Sequence, residues 1–133
     1  MSEVRNPSTA TRWTGYVMTI LPALFLLLDG VMKLFKPGFV VDATSKLGYQ
    51  ESVIVPIGIV LVICTVLYLL PVTSVLGAIL LTGYLGGAVA TQVRADQGAF
   101  AIIFPVIIGA LIWGGLYLRD HRLRNLIPLL TPA

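Results

Sequence analysis

The chain is predicted to be an all-α integral membrane protein, an antiparallel bundle of four transmembrane helices. Three observations predict it. Of its 133 residues 57% are hydrophobic and only 11% charged, far from the ~25% charged residues of a soluble domain. Four apolar runs, residues 13–35, 53–70, 72–93 and 100–118, each approach the ~20 residues with which an α-helix crosses ~30 Å of hydrocarbon. None of the runs alternates polar with apolar residues, as the much shorter strands of a membrane β-barrel would.

Residues 1–12 are polar, with Ser, Thr, Asn and Pro, and read as a short mobile tail. The run that begins at Trp13 follows Arg5 and Arg12 as a secretory signal would. It is longer than an h-region of about 7–15 residues and no A-x-A-like site follows, so it reads as a retained span. It should end near "FKPGF", because Pro37 disfavours helix at Lys36 and Gly38 breaks it further. The segment 36–52 is the longest connection, carrying Asp42, Lys46, Tyr49 and Glu51; it has room for a lid or a short interfacial helix. The second and third spans meet at "LLPVTSVLG", where Pro71 stops one and Thr73 or Ser74 is placed to cap the next. "RADQGA", residues 94–99, is a second polar turn. Residues 119–133 form a basic tail suited to lie along lipid headgroups. The organisation expected is therefore a tail (1–12), a four-helix domain (13–118) and an interfacial tail (119–133).

An even number of spans puts both tails on one side. That side holds Arg5, Arg12, Arg119, Arg122 and Arg124, against Lys33, Lys36, Lys46 and Arg94 on the other, five positive residues to four. The bias favours a multi-pass cell-membrane protein with both termini in the cytoplasm. Trp13, Tyr16, Tyr68, Trp113 and Tyr117 are expected at the tail side, where an aromatic belt accounts for them. The net charge of +3 is spread over loops and tails, so membrane lipid is a sufficient partner and nothing points to nucleic acid. Cys64 is the only cysteine, which excludes an internal disulfide or a C-x-x-C redox pair; it reads as a small packing residue. His121, the only histidine, lies in the basic tail. With no histidine in any span, a haem or a four-ligand metal site inside this chain is not expected, and no cofactor is evident from the residues.

Lipid competes equally for apolar contact, so helices associate where small residues let backbones approach. In "GAILLTGYLGGAVATQVR" Ala78, Thr82, Gly86 and Ala90 recur every four residues, with Gly83, Gly87 and Thr91 on the adjacent stripe. Ala110 and Gly114 give the fourth span a similar pair. These residues suggest that spans three and four pack on each other or on another subunit, in a homo-oligomer or a membrane complex; the alternative for the glycines is a backbone that lets a flat ligand approach.

Two charges interrupt the first span, in "FLLLDGVMKLF". Asp29 and Lys33 are four residues apart, lie about 40° apart on one helix face and can pair. Asp29 lies about 24 Å along the helix from Trp13, at the far shoulder of the membrane. The third span ends on the same side, with Tyr84, Thr91 and Arg94 on one stripe and Gln92 beside it. These residues, with Tyr49 from the 36–52 connection above them, can line a shared polar pocket. A plainer reading stands beside it: Lys33 and Arg94 suit helix C-termini and headgroup phosphates, and Asp29 does no more than neutralise one of them.

"LLLDGVMKLF", "KLGYQESVIVPIGIV", "LTGYLGGAVATQVR" and "WGGLYLRDHRLRNLIP", in that order, resemble the motifs of the DoxX-like family of small four-helix membrane proteins. The resemblance runs from about Pro22 to Pro128. It implies a four-helix membrane bundle, from a family whose better-known relatives are linked to quinone-connected sulfur oxidation and to thiol or oxidative-stress complexes. Position by position it supports Asp29, Lys33, Gly48, Tyr49, Tyr84, Gly86, Gly87, Thr91 and Arg94. Two departures accompany it: family members commonly have histidine where this chain has Gln92, and an acid in the second span where this chain has Val60, Leu61 and Val62. The function expected is a membrane component that binds a hydrophobic small molecule, quinone-like or lipid, or a redox or stress partner. The rivals are a small proton-coupled transporter using Asp29 and a subunit of a quinone-linked oxidoreductase. No complete catalytic constellation is present, so an enzyme acting alone is the less favoured class.

Overall fold

The computed structural model describes residues 9–120 and Leu123; the expected interfacial tail, apart from its first two residues and Leu123, lies outside the described residues. Helix α1 runs Thr9–Phe35, α2 Gly38–Lys46, α3 Ile54–Leu69, α4 Ser74–Arg94 and α5 Ala99–Arg119, with a 3-10 turn over Glu51–Val53 ahead of α3. Among the described residues there is no strand. Four segments are long and apolar enough to cross a membrane: α1, α3 with its 3-10 turn, α4 and α5. The remaining helix, α2, occupies the long connection.

The ends of these helices follow local chemistry. Helix α1 begins at Thr9, so Thr9–Arg12 form its first turn rather than part of a tail. Its 27 residues extend about 40 Å. It closes at Lys36, which takes a left-handed φ of 52°, and Pro37 then starts α2. Neither Thr73 nor Ser74 caps α4 with its side chain. Instead Thr73 Oγ1 donates to Leu67 O at 2.7 Å and Ser74 Oγ to Leu70 O at 2.8 Å. The Thr73 hydroxyl thus satisfies a carbonyl of the last turn of α3, which Pro71 leaves without a continuing helix, and the Ser74 hydroxyl adds to the Thr73 N–H on Leu70 O in the turn itself. Arg119, expected in the tail, is the last residue of α5.

Helices α1 and α4 each pack on both α3 and α5. The spans therefore form a square in which antiparallel neighbours alternate, and α1 and α4, which run parallel, sit on the diagonal. All four contribute to one core, with Leu26, Leu61, Tyr68, Leu81, Ile112 and Leu116 buried. In each span only 28–33% of the most apolar stretch is buried inside the bundle. Much of the rest, including Leu24, Val60, Ile79 and Val106, is exposed, an apolar girdle suited to a bilayer.

The close approaches are glycine to glycine. A Cβ on Gly15 would lie 3.2 Å from Gly115 O, and one on Gly115 3.0 Å from Gly15 O. The same reciprocal contact joins Gly30 and Gly58, at 3.3 and 2.8 Å. Gly77 sits directly against the backbone of Tyr68 at the α3/α4 turn. Of the small residues singled out by spacing, Ala78 is buried, Gly114 lies against Met18 of α1, and Gly83, Gly86 and Gly87 have open space where a Cβ would stand. Ala110 is exposed.

Tyr68 is wholly buried and does not belong to an aromatic belt. Its hydroxyl donates to Ile112 O at 2.8 Å, tying α3 to the opposite helix α5. Arg119 donates from Nε to Thr19 Oγ1 at 3.0 Å and lies near the Tyr16 and Tyr68 rings. This knot of polar groups closes the end of the bundle at which α1 begins and α5 finishes. Trp13 and Tyr16 remain on the outside there.

Candidate functional site

The glycine contacts decide where the bundle opens. Near its start α1 is drawn to α5, through Gly15 and Gly115; near its finish it is drawn to α3, through Gly30 and Gly58. Between α1 and α5 a wedge is left in the far half, and it widens into a cavity of about 680 Å³, in the range of small-molecule sites. Phe25, Leu26, Asp29, Met32 and Lys33 of α1 form one wall; Gly83, Tyr84, Gly87, Thr91 and Gln92 of α4 face them across the diagonal. Phe104, Pro105 and Ile108 of α5 make an apolar flank, and Phe39, Val40 and Thr44 of α2 cover the top.

The polar groups gather under that cover. Lys33 Nζ donates to Asp29 Oδ1 at 2.7 Å, with the lysine side chain 15% exposed and the aspartate 36%. Among the described residues Asp29 Oδ2, the Tyr84 hydroxyl and the Gln92 side-chain amide have no hydrogen-bond partner, and all three residues line the cavity. On α4, Gly83 and Gly87 leave a wall without side chains.

The cover is pinned to α4. The Tyr49 hydroxyl and Thr91 Oγ1 are hydrogen-bonded at 2.8 Å, and Thr91 Oγ1 also donates to Gly87 O. Arg94 Nη2 donates to Leu47 O at 2.8 Å. Gly48, with φ of 91°, lets the guanidinium close on the backbone: a Cβ there would stand 3.1 Å from Nη2. At the other end of the connection Lys36 pairs with Glu51 at 3.3 Å. Of the residues picked out in the sequence, Asp29, Lys33, Tyr49, Tyr84, Thr91 and Gln92 all line the cavity. Arg94 stands outside it and holds the roof.

The apolar flank was missed. Phe25 precedes Asp29 by one helical turn, so its place on the same face was available from spacing. Phe104 and Ile108 carry no such mark, because any apolar residue of α5 looks alike until the neighbouring helix is placed. Phe25 and Phe104 meet edge to face, with ring centroids 5.1 Å apart.

Four apolar helices, a shared core and an outward apolar girdle define a small multi-pass membrane protein. Residues 17–115 match the DoxX-like family, and the chain belongs to it. Comparison with curated proteins and with solved structures gives no match. Among the described residues no three His, Cys, Asp or Glu side chains gather as a metal site would require.

Proposed function

We propose that this DoxX-like protein is a membrane component that holds an apolar small molecule, quinone-like or lipid in class, in the cavity under α2. The observation that carries the reading is the pairing of an apolar wedge with three unpartnered polar groups, on Asp29, Tyr84 and Gln92, at its covered end. These polar groups line an otherwise apolar cavity with their hydrogen-bonding capacity open, so a ligand with a compact hydrogen-bonding end and an apolar body complements the site. Asp29 is already engaged by Lys33 at 2.7 Å, a pair rather than a lone intramembrane acid, which favours binding over proton carriage.

The test is native mass spectrometry of gently solubilised protein. Gly87→Phe fills the cavity from a position with open space around it, and Gly86→Phe adds the same ring one residue away, outside the cavity lining. A small molecule carried by the wild type and by Gly86→Phe but missing from Gly87→Phe and Asp29→Ala supports the reading. Equal retention by all four overturns it.

A further inference from the structure

Given that reading of the cavity, the two ways into it differ sharply. From the water side lies α2 with its following loop, fastened by Tyr49 to Thr91, Arg94 to Leu47 and Lys36 to Glu51. On the lipid side the cavity lining includes the cleft between α1 and α5. That cleft is crossed by a single aromatic contact, Phe25 on Phe104, and Phe25 is itself 43% exposed on the outer face. The roof is held by three separate polar fastenings that must release together, whereas rotation of two rings opens the cleft and leaves no polar group unpaired. Opening the cleft also costs little apolar burial, because lipid replaces the lost contact.

We propose that the cavity exchanges its ligand sideways with the bilayer, through the α1/α5 cleft, and that the ligand is a single-chain amphiphile dissolved in the membrane. Its polar end rests under α2, against Asp29 and Tyr84. Its chain runs out past Phe25 and Phe104 into lipid. The flank follows from α1 being drawn to α5 at Gly15 and to α3 at Gly30, and the roof from its fastenings to α4 and Lys36.

The test uses full-length protein in lipid nanodiscs, a Cys64→Ala background and diazirine-bearing hexadecanol as the photoprobe, with adducts located by peptide mass spectrometry. A reducible bis-thiol reagent bridges Phe25→Cys with Phe104→Cys to close the cleft, or Leu47→Cys with Ala95→Cys, which keeps Arg94, to close the roof; each variant is compared with its own unbridged form. Bridging the cleft is expected to slow labelling of α1 and α4 cavity residues about tenfold, reversibly on reduction, while bridging the roof leaves the rate as it was. The opposite pattern, or no effect of either bridge, overturns the lateral route while leaving the cavity a binding site. A cavity that is never labelled in the unmodified chain removes the binding reading itself. Phe104→Leu gives a check without crosslinking: a thinner barrier should speed labelling, and an unchanged rate counts against the proposal.

Discussion

Asp29 and Lys33 belong to each other before they belong to any ligand. The lysine is mostly buried and its partner sits one turn away, so removing the acid leaves an ammonium unpaired among apolar side chains. Asp29→Asn should lower stability by about 1–3 kcal/mol, and adding Lys33→Met should restore most of it, because the lost pair is then replaced by apolar volume. Thermal unfolding of the two variants in nanodiscs measures this, and a double variant less stable than Asp29→Asn contradicts it. Glycines give an equally sharp contrast. Gly77 abuts the Tyr68 backbone, which cannot swing aside as a side chain can, whereas Gly83 has nothing within 4 Å. Gly77→Ala should cost about 2–3 kcal/mol; Gly83→Ala should be neutral or stabilising by up to about 1 kcal/mol. Equal effects of the two in the same unfolding assay would contradict this assignment.

At the scale of elements, α2 is a helix held by its neighbours. Its nine residues are too few to be stable alone; Val40 and Thr44 are its buried residues, and the pins to α4 supply the rest. Arg94→Ala with Tyr49→Phe should leave the four spans intact but raise amide exchange over residues 38–48 by about tenfold or more. Exchange unchanged there would mean that the apolar contacts suffice. The spans were legible in the sequence because lipid imposes one rule, unbroken apolar length, which composition records directly. The polar residues of the site were legible for the same reason, since a charge or an amide in such a run stands out. The packing was not. Spacing drew attention to Gly83 and Gly87, which line the cavity, whereas the helices close on single glycines, Gly15 with Gly115 and Gly30 with Gly58. Helices that meet at one point need only one small residue each, and an isolated glycine has no sequence signature. Tyr68 misled for a related reason: at a span end it reads as an interfacial ring, until the Ile112 carbonyl across the bundle claims its hydroxyl.

At the scale of the whole molecule, the even number of spans makes a prediction that charge counting alone leaves finely balanced. The α3/α4 turn shares a side with the start of α1 and the finish of α5; the α2 roof and the turn after α4 share the other. Five positive residues against four is a small bias, and the structure engages charges on both sides: Lys33 with Asp29, Lys36 with Glu51 and Arg94 with Leu47 O on one, Arg119 with Thr19 on the other. Orientation then rests on the remaining residues, which favour the cytoplasm for the side of the α3/α4 turn. In a Cys64→Ala background, cysteine placed at Val72 or at Gln97, both exposed, reports sidedness to a membrane-impermeant thiol reagent in intact cells. Gln97→Cys should label and Val72→Cys should not. Partial labelling at both positions would mean insertion in two orientations, whereas full labelling at both, or at neither, would put them on one side. Labelling at Val72 alone would reverse the orientation and place the roofed end of the cavity on the cytoplasmic side. The fold itself fails the test only if the two positions lie on one side, because α4 must cross the bilayer between them.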